Sequence, residues 1–240
     1  MQALLAVETS GNSLGVALRT GSGLVFEENV TAGMIHGRAL APLLEKALAA
    51  QGLRPAGLSA VAVSAGPGSW TGLRIGLSAA KALAWGAGVG LIAVPSFDAL
   101  ALQAGRHAPG SARLVLRDAR SEGFFLALFS ETLEWPERWI EDSVMQAPRA
   151  LAAVDAALAD KGGVPVAVCG DPACLDLVAE AAGARGWQLL RQCQHIGAAA
   201  VAAWGWERLL RGEVLRSAAE IHRLAPLYLR ASGPELKLKK

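Results

Sequence analysis

A chain of 240 residues with a formal charge of +2 is long enough to bury a substantial core in one large domain or two small ones. Its most apolar stretch, residues 79–94, is interrupted by Lys81 and several glycines and stays short of the ~18 residues that a bilayer span requires. The near-neutral charge gives no broad electrostatic case for nucleic-acid binding. We therefore expect a globular protein without a membrane segment.

The cysteine count and the chain ends bear on the cellular compartment. Three cysteines are an odd set, and no basic-then-apolar leader precedes the first predicted strand, so we expect a cytoplasmic protein without a disulfide framework. The C-terminal letters ELKLKK place Lys237, Lys239 and Lys240 on a short basic tail at 231–240. A solvated tail is the favoured interpretation, and an RNA contact is the alternative.

The N-terminal part of the chain predicts a β-meander followed by alternating helices and strands. Gly11, Asn12, Gly21 and Gly23 separate the first three strands. Leucines at helical spacing predict the first helix, in which Pro42 should produce a kink or lie in the first turn. The predicted strands are 3–7, 14–19, 24–29, 60–65 and 90–94, and the predicted helices are 36–51 and 72–86.

The same order of elements recurs later in the chain. ETSGNSLGVAL from Glu8 and DARSEGFFLAL from Asp118 both place a carboxylate before a turn and a second strand, as an internal duplication predicts. The later strands are predicted at 113–118, 124–130, 133–140, 165–169, 188–190 and near Tyr228, and the later helices at 148–160, 173–182 and 198–210. We predict an α/β fold of two βββαβαβ halves, 1–106 and 107–197, with a hinge near 105–111 and with 198–230 completing the first half.

Glu8 is the first candidate for chemistry, because small polar residues follow it at the end of the first strand. Such a loop can face an anion with its N–H groups and hydroxyls. A tight hairpin with a capping carboxylate is the favoured interpretation, since a phosphate site needs a second loop and a metal ligand. The counterpart loop after Cys169 contains Asp171, whose negative charge would repel a phosphate.

A glycine-rich turn at 64–72 opens the second helix. It lacks the GxxxxGK[ST] pattern of a P-loop and the GxGxxG spacing of a dinucleotide site, so as a nucleotide motif it is weak. Gly72, Gly76, Ala80 and Ala84 then stand four residues apart and form a ridge of small side chains that lets another helix approach closely. For a single helix, packing of this ridge on its own sheet is the favoured interpretation.

Two apolar helices on one sheet face favour a docking surface instead, because their outer faces have nothing left to cover them. Arg74, Ser78, Lys81 and Trp85 form a second stripe on the latter helix, where a Trp beside two cations is typical of an interface anchor, although a core Trp remains open. The predicted partner or dimer interface consists of His36, Leu40, Leu43, Leu44, Ala47, Gly72, Leu73, Arg74, Gly76, Leu77, Ala80, Lys81, Leu83 and Ala84.

Metal and nucleophile patterns are weak in this chain. Its histidines form no HxxxH or HExxH motif, its cysteines lack CxxC spacing, and the lone pair of Cys193 and His195 is too little for a zinc site. Ser64 and Ser69 flank the glycine turn but do not form the GxSxG elbow of a hydrolase. We therefore predict no catalytic, cofactor-binding or metal-binding residue.

Several segments carry a family resemblance. They are LLAVETS near the start, the H-x-x-x-L-x-P-L-L pattern from His36, SAGPGSWTGLRIGLSAAKALA from Ser64, RDARSEGFF from Arg117 and APLYLR from Ala225. Over nearly the whole chain these resemble the TsaB family of tRNA threonylcarbamoyladenosine biosynthesis proteins, glycoprotease-like homologues of the catalytic subunit TsaD. The chain has Glu8 where that family usually has Asp, and Trp70 where it usually has Phe.

The resemblance implies an actin-like (actin, Hsp70 and sugar-kinase, ribonuclease H-like) fold and a pseudo-enzyme. Ser96 and Leu100 take the places of the two metal-binding histidines of the catalytic relative. The implied role is that of a scaffold, or a homodimer when alone, that binds a TsaD-type subunit through its first two helices, with a TsaE-type ATPase joining. ATP and metal are then expected on the partner subunits and not on this chain, and the modified tRNA is reached only through the complex.

Two other functions compete with this interpretation. The first is a weak ATP-dependent kinase or transferase that uses Glu8, Asp118 and the two glycine turns. The second is a peptidase, for which the sequence offers neither metal ligands nor a nucleophile paired with a base.

Overall fold

The computed structural model describes residues 2–31, 36–133 and 135–229, and the predicted basic tail lies outside these ranges. The first half contains β1 Ala3–Glu8, β2 Ser13–Thr20, β3 Gly23–Thr31, α1 His36–Ala49, β4 Ala60–Ser64, α2 Trp70–Ala87, β5 Gly90–Val94 and α3 Ser96–His107. The second contains β6 Ala112–Asp118, β7 Phe124–Phe129, β8 Arg138–Met145, α4 Ala147–Leu158, β9 Val166–Gly170, α5 Pro172–Ala184 and β10 Gln188–Leu189. The chain then continues through α6 Ala198–Leu210 and α7 Ala218–Arg223.

The described chain divides into two compact units, each built on one five-stranded sheet. One unit runs up to Ala99 and includes Ile196–Leu227, and the other includes Leu100–His195. The sheet orders are β3-β2-β1-β4-β5 and β10-β9-β6-β7-β8, so the two sheets have the same topology. In each, an antiparallel meander is extended by parallel strands that connect through helices, which is the βββαβαβ arrangement predicted for both halves.

Alternate residues of β1 point to opposite faces of the first sheet, and each face has its own helical cover. Leu5 and Val7 lie in the cluster that includes Leu43 of α1 and Ala80 of α2, so these two helices cover one face together. On the other face, α6 packs closely through Gly205, where an added Cβ would come within 2.6 Å of the Ala62 Cβ. Both faces of the parallel strands are therefore buried, as such strands require.

The second unit repeats this construction with a smaller core. Leu114 and Leu116 of β6 pack with Val154 of α4 and with Leu175 and Val178 of α5. Like α1 and α2, these two helices lie on the same side of their sheet.

The structure corrects three expectations about elements. The strand predicted at 133–140 is β8, Arg138–Met145, because Pro136 cannot donate to a ladder and pairing with β7 begins beyond it. The strand expected near Tyr228 is absent from the described residues, although the Leu227 N–H donates to the Ala65 carbonyl at 2.7 Å. Helices α3 and α7 were not predicted, and α7 has only six residues, too few for a periodic signal.

The N-terminus of α6 is held by two polar side chains of β3. The Ala198 N–H donates to Asn29 Oδ1 at 3.0 Å, and the Ala199 N–H donates to Glu27 Oε1 at 3.0 Å. Gly15 lets this contact form, because a Cβ at Gly15 would collide with the Asn29 side chain. The two acceptors satisfy N–H groups that the helix leaves unpaired, and Glu27 also places negative charge at its positive end.

We predict that Asn29→Ala lowers the free energy of unfolding by about 1 kcal/mol, the usual value of a lost N-terminal cap. Urea denaturation measures the change. Asn12→Ala is the matched control, because Asn12 is exposed in the turn before β2 and should change stability by less than about 0.5 kcal/mol. Equal effects of the two substitutions would contradict the capping role of Asn29.

Candidate docking face

The loop after β1 is bonded to the carboxylate of Glu8, the last residue of that strand. Glu8 is 1% exposed, and its Oε1 accepts hydrogen bonds from the N–H and the hydroxyl of Ser10, both at 2.6 Å. Its other oxygen accepts from the Ser64 hydroxyl. These contacts confirm the favoured interpretation of Glu8 as an internally bonded hairpin carboxylate, since one oxygen accepts from Ser10 of the loop and the other from Ser64 at the end of β4.

The glycine turn closes onto the same loop. The Ser69 N–H donates to the Ser10 carbonyl at 2.7 Å, and a Cβ at Gly68 would collide with that carbonyl. Gly66, at φ +108°, donates its N–H to Ser96 Oγ at 3.1 Å and accepts from the Ser96 N–H at 2.7 Å. The turn is therefore packed against backbone that the chain itself provides, and Ser96 holds it in place.

The ridge of small residues on α2 faces the sheet. Thr9 Oγ1 donates to the Gly72 carbonyl at 2.8 Å, and a Cβ at Gly72 or Gly76 would collide with Thr9. Ala80 and Ala84, at 1% and 0% exposure, continue the same ridge into the core. The prediction that a helix of another protein packs on this ridge is therefore wrong, because Thr9 of the same chain already packs against it.

Most residues of the predicted interface are consequently internal. Only Arg74 is exposed, and His36 begins α1 with a side chain outside the described part of the structure. Leu44, Lys81 and Leu83 are half-buried. The buried members are Leu40, Leu43, Leu73, Leu77, Ala47, Gly72, Gly76, Ala80 and Ala84. Apolar side chains at helical spacing identify the side of a helix that is buried but not what buries it, and here the chain's own sheet does so.

The residues between these apolar positions form the surface that another molecule can reach. We call this surface the outer face. On α1 it consists of Gly37, Arg38, Ala41, Pro42, Glu45, Lys46 and Ala49, and on α2 of Thr71, Arg74, Ser78, Ala82, Trp85 and Gly86. Of these residues, Arg74 belongs to the predicted interface, and Ser78 and Trp85 belong to the predicted second stripe of α2. The others were missed, and the signal that finds them is the polar and small half of the same helical period.

The α2 part of the outer face is cationic and aromatic. The Arg74 guanidinium lies 4.1 Å from the ring centroid of Trp70, and Trp85 is 71% exposed. The 18 residues of α2 contain no acidic side chain. Exposed Trp and Arg are the residue types that dominate binding energy at protein interfaces. The alternative interpretation of Trp85 as a core residue is excluded by its exposure.

The corresponding loop of the second unit has the same local geometry. The Asp118 carboxylate accepts from the Arg120 N–H at 2.6 Å, as Glu8 accepts from the N–H two residues further along. Asp171 Oδ2 accepts from the Asp118 N–H at 2.9 Å, and Arg117 lies 3.4 Å from the other Asp171 oxygen. Asp171 therefore links the ends of β6 and β9.

Neither metal ligands nor an activated nucleophile come together in this part of the molecule. Among the described residues no three His, Cys, Asp or Glu side chains could hold one metal ion. Leu100 lies in the core at 1% exposure. The three cysteines are buried free thiols, and burial raises the pKa of Cys174 to about 12. A thiol that stays protonated is a poor nucleophile.

Comparison with known proteins assigns the chain to a family. The family model described as TsaD, tRNA N6-adenosine threonylcarbamoyltransferase, matches residues 30–170, which is more than half of the chain. The chain belongs to this family. Within the family its full-length similarity is to TsaB of Bacillus subtilis, at 29% identity over 98% of the chain and 96% of the relative.

Other relatives match over part of the chain. TsaB of Escherichia coli is 32% identical over 49% of the chain and 50% of its own length. The tRNA N6-adenosine threonylcarbamoyltransferase of Sorangium cellulosum is 34% identical over 38% of the chain and 30% of its own length. Among solved structures, YeaZ from Pseudomonas aeruginosa superposes with a TM-score of 0.78 at 20% identity and covers 95% of this chain and 100% of its own. The predicted fold class is thereby confirmed.

No helix in the described ranges is both long and apolar enough to traverse a bilayer.

We predict opposite effects for two glycine substitutions in α2. Gly76→Ala should lower the free energy of unfolding by about 1–3 kcal/mol, because the new methyl group overpacks against Thr9. Gly86→Ala should raise it by about 0.5 kcal/mol, because that position is open and alanine favours a helix. Urea denaturation of both variants tests the packing of the ridge, and a neutral Gly76→Ala would refute it.

Proposed function

We propose that this chain is the non-catalytic scaffold subunit of a complex that synthesises threonylcarbamoyladenosine in tRNA. In this proposal it binds and activates a TsaD-type subunit, which transfers threonylcarbamoyl to the adenosine next to the anticodon of ANN-decoding tRNAs. The full-length similarity to TsaB supports the role. The match to the Sorangium cellulosum transferase extends over only 30% of that enzyme, which is consistent with a shared domain rather than a shared activity.

The closed contact between the loop after β1 and the glycine turn before α2 is the observation that carries the non-catalytic assignment. In a phosphate-binding loop, backbone N–H groups point outward to an anion. Here the N–H groups of Ser10 and Ser69 are bonded to Glu8 and to the Ser10 carbonyl, and Gly68 lies against that carbonyl. A transferase that used this loop would have to open it and unpair a buried carboxylate, which is unfavourable.

The proposal assigns the remaining components to other molecules. ATP and metal bind to partner subunits, a TsaE-type ATPase joins the assembly, and tRNA is reached through the complex in the cytoplasm. When the partner is absent, the chain pairs with a second copy of itself. The outer face of α1 and α2 is the proposed contact surface, because its small residues Ala41, Ser78 and Ala82 allow close approach of a partner's helices.

We predict that the double substitution Ala41→Tyr with Ser78→Tyr weakens co-purification with the TsaD-type subunit of the same organism at least about tenfold. Both positions are exposed, so the bulky rings block the outer face without entering the core. Affinity is measured by pull-down and by biolayer interferometry, with circular dichroism to check the fold.

The matched control is Ala152→Tyr with Ala156→Tyr, which places two rings on the exposed side of α4, in the other unit. It should leave affinity unchanged. Equal affinity of both double variants would contradict the outer face as the contact surface, and failure of the wild-type pair to associate would contradict the scaffold role itself.

Calorimetry with ATP and magnesium separates the scaffold from the ATP-dependent kinase or transferase. We predict no heat of binding to the isolated chain, because the loop that would face a phosphate is bonded to Glu8 and Ser10. The isolated TsaD-type subunit provides the positive control. Micromolar binding of ATP to this chain would favour the enzyme and overturn the assignment.

A further inference from the structure

A groove lies between α2 and α7, at the C-terminal end of the outer face. Its volume is about 340 Å³, large enough for one or two apolar side chains. It is lined by Lys81, Ala82, Trp85, Ala218, Ile221 and His222.

The groove has a fixed floor. Ile221 is 5% exposed and belongs to the core cluster beneath α2. The Lys81 ammonium donates to the His222 carbonyl at 2.8 Å, and this bond connects α2 to the end of α7. A capping box of Ser217 and Glu220 begins the short helix. The two walls therefore keep their spacing without a bound partner.

The charged side chain that lines the groove, Lys81, is cationic. Lys81 and the exposed Arg223 supply positive charge, and His222 adds a ring N–H donor. The nearest carboxylate on α7 is Glu220, which accepts hydrogen bonds from the N–H and the hydroxyl of Ser217, and these bonds hold the pKa of Glu220 below its usual value. An occupant with carboxylates meets complementary charge here, whereas a basic occupant meets repulsion.

The walls of the groove favour a protein over a nucleic acid. Trp85 is 71% exposed and, with Ile221 and two alanines, offers mostly apolar surface. Contacts to a phosphate backbone rely on several cations and hydrogen-bond donors along a strand, and this groove has one lysine at its wall. An apolar side chain with flanking carboxylates fits it better.

We propose that this groove binds an acidic amphipathic segment of the TsaD-type subunit, with an apolar side chain between Trp85 and Ile221 and a carboxylate near Lys81. The identity of the partner rests on the proposed function, while the chemistry of the segment rests on the groove. The groove thereby extends the contact from the helices α1 and α2 to α7.

The apolar part is tested with Trp85→Ala in the full chain, bound to the purified TsaD-type subunit. We expect affinity to fall about tenfold or more, as for a truncated interface anchor. Leu177→Ala on α5 is the matched control, because Leu177 is 72% exposed and lies in the other unit. If Trp85→Ala binds as tightly as Leu177→Ala, the groove is not an anchor site.

The electrostatic part is tested with His222→Glu, which adds a negative charge at the rim while leaving the backbone carbonyl that Lys81 binds. We expect a loss of affinity of about fivefold and a weaker dependence of affinity on salt, since the new carboxylate repels the acidic occupant and offsets the attraction of Lys81. His107→Glu, at an exposed histidine in α3, is the control. Unchanged or tighter binding of His222→Glu overturns an acidic occupant.

The occupant itself is identified by a photo-crosslinking residue in place of Ala82, followed by mass spectrometry of the complex. We expect cross-links to a partner segment that contains both apolar and acidic residues. Cross-links to a basic segment, to tRNA added to the complex, or to a second copy of this chain would each overturn the proposal. If the complex forms with unchanged affinity in both variants and gives no cross-link from position 82, the groove proposal is overturned and the scaffold role is retained. If the wild-type chain forms no complex at all, both the groove proposal and the scaffold role are overturned.

Discussion

The approach of α2 to the end of β1 is the contact on which the rest of the first unit depends. Gly72 and Gly76 let the helix backbone come close enough for the Thr9 hydroxyl to donate to the Gly72 carbonyl. Any larger side chain at these positions would push the helix off the sheet. Because this contact fixes the rotation of α2 about its axis, it also decides that Arg74, Ser78 and Trp85 face outward.

The same contact helps to close the loop after β1. With Thr9 under the helix, Ser10 comes within hydrogen-bond distance of Ser69, and Glu8 bonds to Ser10 and Ser64. The polar groups of this region thus satisfy one another in a buried setting, where an unpaired group would be costly. The side of α2 that packs on the sheet is closed to other molecules, and the opposite side remains as the surface that we propose for docking.

The two units show how a repeated topology can be used differently. In each, a carboxylate at the end of the first strand of the sheet accepts the N–H two residues further along, at 2.6 Å. In the first unit this carboxylate is buried and bonded to Ser10 and Ser64. In the second, Asp118 remains partly exposed, and its N–H is bonded to Asp171, the residue that precedes α5.

The sequence by itself determined the elements and their order. The period-two and period-3.6 patterns predicted both meanders, the helices α1, α2 and α4 to α6, and the duplication that Glu8 and Asp118 mark. These features are local or repeat along the chain, so they can be predicted from the sequence without knowledge of the tertiary structure. The same holds for the mixed character of α2, with an apolar side and a side that carries Arg74, Lys81 and Trp85.

Only the tertiary structure decided which side of α2 is inside. A ridge of glycines and alanines is suited equally to a partner's helix and to the chain's own strand, and helical spacing does not distinguish them. Thr9 is distant from Gly76 along the chain, so their contact exists only once the sheet has formed. Likewise the groove beside Trp85 depends on the packing of α7, a helix too short to be visible in the sequence pattern.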